Sequence, residues 1–130
     1  MRFIPTTPAP TTSRAALGRW GELQVRDWCL AQGCELLGVH VTASDSEIDL
    51  ITRQGDRVAF CEVRVRGTRT RPSALESIGL SKQRKLRLGA ERWLAGQRAI
   101  PEAWHFHFDV YLLERGADGE WELELIEDAF

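Results

Sequence analysis

Two acidic residues occupy corresponding places in two neighbouring apolar segments of the sequence. Segment 47–53 carries Asp49 and segment 57–66 carries Glu62, and the turn residues Gln54-Gly55-Asp56 separate them. Two runs rich in β-branched residues around a short turn with glycine predict a β-hairpin. Because side chains alternate between the two faces of a strand, pairing close to the turn would bring both carboxylates together.

The chemistry of such a pair can be read in two ways. Carboxylates among apolar residues are costly to bury unless something compensates their charge. A divalent cation is one compensator, since hard cations such as Mg²⁺ take oxygen ligands. Pairing with the many nearby arginines is the other, because structural ion pairs also gather charges. The residues alone leave both readings open.

Length and composition indicate a single globular domain. The chain has 130 residues, of which 43% are hydrophobic and 28% charged, as in ordinary soluble proteins. No apolar run approaches the ~20 residues that span a bilayer, so we expect a cytoplasmic protein without a membrane partner. The three cysteines show no CxxC spacing and are typical of small buried hydrophobes in a reducing compartment. Residues 1–13, rich in Thr and Pro, are expected to form a disordered tail before a domain at 14–130.

The hydrophobic periodicity predicts an α/β or α+β domain with a mixed β-sheet flanked by helices, in the order α-β-β-β-α-β-β. In the first helix, Gly18 and Gly21 indicate close packing against another element. Glu22 follows at the edge of the buried stripe, where it can pair with a helix arginine or reach the hairpin. A polar turn is expected at 42–46 and a flexible loop at 67–77. The helices are predicted at 14–32 and 78–95, and the strands at 34–41, 47–53, 57–66, 103–114 and 120–127.

Positive charge is concentrated in one part of the chain. The whole sequence has a net charge of −2, yet segment 64–92 contains nine Lys or Arg residues and two Glu residues, a net charge of +7. Such a segment is typical of a surface that binds a polyanion. It could equally be a solvated helix face, or neutralise the acidic segment 102–130. The candidate nucleic-acid contacts are Arg66, Arg69, Arg71, Lys82 and Lys85.

Several of these features together resemble a known family. They are Glu22 after a glycine, the block Glu47-Ile48-Asp49-Leu50-Ile51, Glu62-x-Arg64-x-Arg66, a lysine-bearing second helix and Phe108-Asp109-Val110. The combination resembles a small bacterial family of uncharacterised endonuclease-like proteins. That family is similar to archaeal Holliday-junction resolvases of the restriction-endonuclease-like, PD-(D/E)xK fold. The resemblance extends over about residues 14–113.

The resemblance implies an acid in the first helix, an aspartate on the second strand and Glu-x-Lys on the third. By position these are Glu22, Asp49, Glu62 and Arg64, the implied catalytic residues. Asp49 and Glu62 would hold Mg²⁺ or Mn²⁺, and Glu22 would complete or orient the ligand shell. Two positions depart from the family pattern: Arg64 replaces the lysine, and Ser46 stands where glycine is usual.

The arginine matters because a guanidinium cannot be deprotonated in proteins and so cannot accept a proton. It can still stabilise developing negative charge with its fork of donors. If a lysine is essential, it must be Lys82 or Lys85, the only lysines in the chain. Either one would have to reach the site from the second helix.

Three functions remain open on this basis. The first is structure-selective or non-specific cleavage of DNA by a metal-dependent endonuclease. The second is a nucleic-acid-binding module whose catalysis is weakened or lost through Arg64. The third is an interaction protein that offers its basic helix to an acidic partner. The expected partner is nucleic acid, with DNA favoured, and a homodimer is an open alternative to a monomer.

Overall fold

A computed structural model of the protein describes residues 1–43, 46–67 and 78–130. In that part of the chain, no helix is long and apolar enough to cross a membrane. The elements agree with the predicted bounds to within two residues, apart from one additional short strand at the start. They are β1 (Arg2–Phe3), α1 (Arg14–Ala31), β2 (Glu35–Ala43), β3 (Ser46–Gln54), β4 (Arg57–Arg66), α2 (Leu80–Ala95), β5 (His105–Arg115) and β6 (Trp121–Ile126).

The strands form one six-stranded sheet in the order β1-β6-β5-β4-β3-β2. The β4–β5 pair is parallel, and all other neighbouring strands are antiparallel. A parallel pair needs a crossover connection, and the segment containing α2 supplies it. The predicted mixed α/β fold is thus confirmed, whereas its restriction-endonuclease-like identity stays a prediction.

The first residues differ from the disordered tail expected at 1–13. Strand β1 pairs with β6, and Phe3 is buried in the core next to Trp121. Further along, the Gln24 side chain accepts a hydrogen bond from the Thr6 backbone N–H at 2.8 Å. The Thr/Pro-rich composition indicated disorder, but the segment is structured because Phe3 packs into the core. Several of its polar groups also form hydrogen bonds with residues of α1 and β6.

The two helices lie on opposite faces of the sheet. Helix α1 contributes Trp20 and Val25 to a core that includes Cys61 and Val63 of β4. Helix α2 contributes Leu86 and Ala90 to a second core with Val58 and Phe60 of the same strand. Since successive strand residues point to opposite faces, β4 is covered on both sides.

A glycine allows close approach of each helix to the sheet. A Cβ atom on Gly21 of α1 would lie 2.1 Å from Cγ2 of Val65 on β4. A Cβ atom on Gly89 of α2 would lie 2.7 Å from Oγ of Ser46, which is buried at the start of β3. Close packing was predicted from Gly18 as well, but a Cβ atom there would meet nothing within 4 Å.

The central hairpin forms as predicted, and β3 also pairs on its other side. Strands β3 and β4 pair from Gln54↔Arg57 to Leu50↔Cys61 around a turn in which Gly55 has a φ of 62°. Strands β2 and β3 pair up to Ala43↔Ser46, so both extend into the polar turn expected at 42–46. The loop expected at 67–77 falls, apart from Gly67, outside the described residues.

The glycine at the α1–β4 contact generates a stability prediction. Gly21→Ala should lower the free energy of unfolding by about 1–3 kcal/mol, because the added methyl group overpacks against a stiff β-branched side chain. Gly18→Ala is the matched control in the same helix and should raise stability by up to about 1 kcal/mol, the helix-propensity gain. Urea unfolding of both variants measures the two effects. Equal effects of the two substitutions would contradict this packing.

Candidate metal centre

Asp49 lies where strands β3 and β4 separate. In the described residues, the pairs between these strands end at Leu50↔Cys61, while the start of β3 continues to pair with β2. Beyond the last pair, the Val63 backbone N–H donates to Oδ2 of Asp49 at 2.8 Å. The Asp49 carboxylate therefore takes the place of a backbone acceptor and is held between the two strands rather than over one face of the sheet.

Glu62 approaches Asp49 from the α2 side of the sheet. Its carboxyl group lies close enough to Asp49 for the Asp49 charge to raise the pKa of Glu62. Glu62 is 7% exposed, and its Oε2 atom is buried with no hydrogen-bond partner among the described residues. In the same part of the chain, Nε of Arg64 lies 3.3 Å from Oε1 of Glu62, and Nζ of Lys82 lies 3.8 Å from Oε2. The charge of Glu62 is thus balanced only at a distance.

Glu22 approaches Asp49 from the α1 side. Nε2 of His40 lies 3.0 Å from Oε2 of Glu22, and Nδ1 of His40 contacts the Glu47 carboxylate. One ligand atom from each of Glu22, His40 and Asp49 lies within 4.8 Å of the other two. Together with four neighbouring residues, these three line a recess of about 20 Å³, enough for roughly one water molecule or ion.

The three carboxyl groups resist ionisation together. Burial, and next the nearby Asp49 charge, raise the pKa of Glu22 to about 7 and that of Glu62 also to about 7. Burial raises the pKa of Asp49 as well, against the hydrogen bond from Val63. The hydrogen bond to Glu47 raises the pKa of His40. Neighbouring acids that raise one another's pKa values are typical of cation sites, where the ion supplies the missing charge.

The donor set fits a divalent cation. Asp49, Glu62 and Glu22 supply oxygen ligands of the kind that Mg²⁺ and Mn²⁺ prefer. A buried carboxylate oxygen without a hydrogen-bond partner, as at Glu62, is expensive to maintain unless another group compensates it. The arrangement is not one compact cluster, however: Glu22 and Glu62 contact Asp49 from opposite sides, and Glu62 is not part of the set that Glu22 forms with His40.

Most predicted site residues converge here, including Arg64, which shares the cleft with Glu62 as its position on the strand indicated. Pairing between Glu62 and an arginine, the alternative to a metal ion, is only partly realised: Nε of Arg64 lies 3.3 Å from Glu62 but makes no hydrogen bond within residues 1–43, 46–67 and 78–130. Arg66 is half-buried at the end of β4, and Lys85 is exposed on α2. Arg69 and Arg71 lie outside the described residues.

The structure distinguishes between the two lysines and adds a residue that sequence reasoning missed. Lys82 and Lys85 were both candidates for a lysine reaching the site from the second helix, and Lys82 is the one that lies beside Glu62. Its position four residues before the buried Leu86 and seven before Gly89 was a usable signal, because this spacing places it on the sheet-facing side of the helix. His40 was not singled out, and only the β2–β3 register, with pairs on either side of it, places it opposite Asp49.

A second polar cluster lies on β5 away from these carboxylates. Arg57 donates to both carboxylate oxygens of the buried Asp109 at 2.6 and 2.9 Å. His105 and His107 contact each other at 2.6 Å, and His107 contacts Asp128 at 2.5 Å. These polar groups satisfy one another, in contrast to Glu62.

Sequence comparison shows what the chain is similar to. Residues 21–113, which contain nearly all of these site residues, match the uncharacterised protein family UPF0102. The UPF0102 protein YraN of Escherichia fergusonii is 34% identical over 133 residues, with 100% of this chain and 97% of the relative covered. A UPF0102 protein of Alkalilimnicola ehrlichii is 38% identical, with 92% and 91% covered. One from Frankia casuarinae is 34% identical, with 91% and 98% covered.

The carboxyl pKa values generate a pH prediction for the metal-free protein. Each raised pKa means that the folded state holds a proton that the unfolded chain releases near pH 4.5. The stability that Glu22 and Glu62 contribute is therefore greatest at low pH and decreases as the pH rises towards 7. The raised pKa values of Asp49 and His40 change the stability in the same direction. We expect the free energy of unfolding to decrease by about 2–4 kcal/mol between pH 5 and pH 7.5.

Urea unfolding in EDTA at several pH values measures how steeply the free energy of unfolding decreases with pH. Among the described residues, the Lys82 and Arg64 cations face Glu62 and oppose the rise of its pKa. Glu62→Gln should flatten the slope because the amide cannot titrate. A stability that rises with pH over this range would contradict the proposed environment of these carboxyl groups.

Proposed function

The chain belongs to the UPF0102 family, and from this membership and the site geometry we propose that it is a metal-dependent phosphodiester hydrolase acting on DNA. One observation carries the proposal. Two mostly buried carboxyl groups, Asp49 and Glu62, meet where two strands separate, and an oxygen of Glu62 lacks a hydrogen-bond partner in the part of the chain that the structure describes. This arrangement is costly for structure alone and suits a cation that binds a phosphate.

Asp49 and Glu62 would hold Mg²⁺ or Mn²⁺, with Glu22 orienting Asp49 from the α1 side. When bound, such an ion polarises a phosphoryl oxygen and lowers the pKa of its bound water. The protein's part is to fix the two carboxylates. The Val63 N–H holds Asp49 in one orientation, and the core residues that flank Glu62 on β4 limit its movement.

Lys82 is proposed as the lysine of the site. Its ammonium group lies 3.8 Å from Glu62, on the side where the resemblance places the third-strand lysine. From α2 it can contact a phosphate oxygen and stabilise negative charge that develops there. A lysine pKa is also more easily tuned by burial than that of an arginine. The departure at Arg64 would thereby be compensated in part by a residue from another element.

Nucleic acid is the proposed substrate because basic residues continue outward from this site. Lys85 follows Lys82 by one helical turn, and Arg66 ends the strand that carries Glu62. Positive side chains next to a phosphate-binding centre can contact further phosphates along the backbone of a nucleic acid and so strengthen its binding. Structure-selective cleavage of branched DNA is the finer form of this proposal, following the resemblance to resolvases.

A second candidate function is nucleic-acid binding without efficient cleavage. It is favoured by the Arg64 guanidinium, which lies 3.3 Å from Glu62 and would compete with a metal ion for that oxygen. Nicking of supercoiled and branched DNA in Mn²⁺ separates the candidates. The binding-module reading predicts retained DNA affinity with no metal-dependent product in any variant.

The lysine position generates a prediction about cleavage. We expect weak cleavage by the parent protein and an increase in Arg64→Lys, because the smaller ammonium group frees Glu62 for metal. Lys82→Ala should lower the rate about 10²–10³-fold, the effect of removing one donor that stabilises developing charge. Lys85→Ala is the matched control on the same helix and should change the rate only a few-fold, through DNA binding.

The double variant Arg64→Lys with Lys82→Ala asks whether one lysine can replace the other. Recovery of cleavage in this variant would show that a lysine is needed on this side of Glu62, whichever element supplies it. Strong parent activity that neither Arg64→Lys nor Lys82→Ala alters would refute the role given to Lys82.

The basic surface generates a prediction about binding. Affinity for duplex and branched DNA should decrease steeply with salt, because phosphate contacts release counterions. Lys85→Ala should reduce the slope of log affinity against log salt by about one, whatever the sequence. Arg2→Gln is the control, since Arg2 pairs with Glu120 at the far edge of the sheet. Fluorescence anisotropy measures both slopes, and an absence of binding at low salt would favour a protein partner instead.

A further inference from the structure

We propose that Glu22, His40 and Asp49 form a mixed nitrogen–oxygen site that takes a borderline divalent transition-metal ion, such as Zn²⁺ or Co²⁺, in preference to Mg²⁺. This inference deepens the proposed function, since Asp49 belongs to both sites, and it assigns His40 as a metal ligand. The position lies on the α1 side of Asp49, whereas the proposed Mg²⁺ position lies towards Glu62 on the α2 side.

The orientation of the His40 ring supports this assignment. Nδ1 contacts the Glu47 carboxylate, and Nε2 points towards Glu22 at 3.0 Å. In the neutral imidazole, an Nδ1–H group that donates to a carboxylate leaves Nε2 unprotonated and facing the site, which is the usual arrangement of metal-binding histidines. Glu47 would then be a positioning residue that fixes the tautomer and direction of the imidazole.

The backbone of β2 is shaped to present this ring. His40 has a φ of 49°, a left-handed conformation that is uncommon outside glycine, although asparagine, aspartate and histidine adopt it more often than other residues. A register shift between Leu36 and Gly38 interrupts the β2–β3 pairing just before it. Such distortions are found where a strand re-aims a side chain next to a functional site.

The spacing and surroundings suit one ion. Zinc–ligand distances of about 2.0–2.2 Å place the atoms around one ion about 3–4 Å apart, and the three ligand atoms here lie within 4.8 Å of one another. Oε2 of Glu22 is buried, and among the described residues its near neighbour is Nε2 of His40 at 3.0 Å, which makes no well-aligned hydrogen bond to it. His40 is half-exposed, which leaves room for water to complete the coordination. Imidazole favours Zn²⁺ and similar ions over Mg²⁺, so the single nitrogen determines the metal preference.

Zn²⁺ titration of the full, untagged chain, followed by ¹⁵N NMR of the histidine rings, tests the ligand directly. The chain has three histidines, so each ring can be assigned from single variants. We expect Zn²⁺ to shift the Nε2 resonance of His40 to a metal-bound position while Nδ1 keeps its proton. Shifts of His105 or His107 without a shift of His40 would overturn the inference.

Calorimetric titration with Co²⁺ and Mg²⁺ tests the selectivity. His40→Asn should weaken Co²⁺ binding at least tenfold, about the loss expected when one ligand is removed. The same substitution should change Mg²⁺ affinity less than threefold. Asparagine tolerates the left-handed backbone, so the strand geometry is kept. Equal losses for the two ions, or no loss of Co²⁺ affinity, would refute the role of His40.

Glu62→Gln separates this inference from the proposed function. It should weaken Mg²⁺ binding and abolish cleavage while Zn²⁺ still shifts the His40 resonance. If Glu62→Gln leaves Mg²⁺ binding and cleavage unchanged, the proposed function fails and the His40 site stands. If the parent protein binds neither Co²⁺ nor Mg²⁺, both fail together.

Discussion

The hydrogen bond from the Val63 backbone N–H to the Asp49 carboxylate is the interaction on which the rest of the site depends. It occurs where β3 leaves β4 to continue its pairing with β2, and it satisfies a donor that the sheet no longer pairs. Here a side chain supplies the acceptor, and Asp49 on β3 is short enough to do so from beside the Val63 N–H. The same bond fixes the carboxylate between the two faces of the sheet, open to both.

The two helices gain access to Asp49 because each lies unusually close to the sheet. Gly21 brings α1 against Val65 and places the next residue, Glu22, beside Asp49. Gly89 brings α2 against Ser46, and Lys82 of the same helix contacts Glu62. Ser46, at the start of β3, thus lies against the helix that carries Lys82. The close contacts at Gly21 and Gly89 thus determine how near the charged residues of the two helices come to the acids on β3 and β4.

Sequence patterns predicted the central hairpin, both helices and the meeting of Asp49 with Glu62, because strand alternation and helical periodicity are local properties. They did not predict β1, whose stability comes from contacts with Trp121 and α1 distant in sequence. They also missed His40, because its place depends on the β2–β3 register and on a left-handed backbone that no neighbouring residue type demands. Face alternation alone would have put Asp49 over one face, whereas the separation of the strands holds it between the two.

We propose that Asp49 binds a divalent cation between α1, α2 and the separating strands, and anomalous diffraction from crystals grown with Mn²⁺ can locate such an ion. We expect an anomalous peak within bonding distance of an Asp49 carboxylate oxygen, with Glu62 or Glu22 as a further ligand, and no peak there in Asp49→Asn. A Mn²⁺ ion bound only elsewhere, or Asp49 without metal at saturating Mn²⁺ and still bonded to Val63, would contradict it.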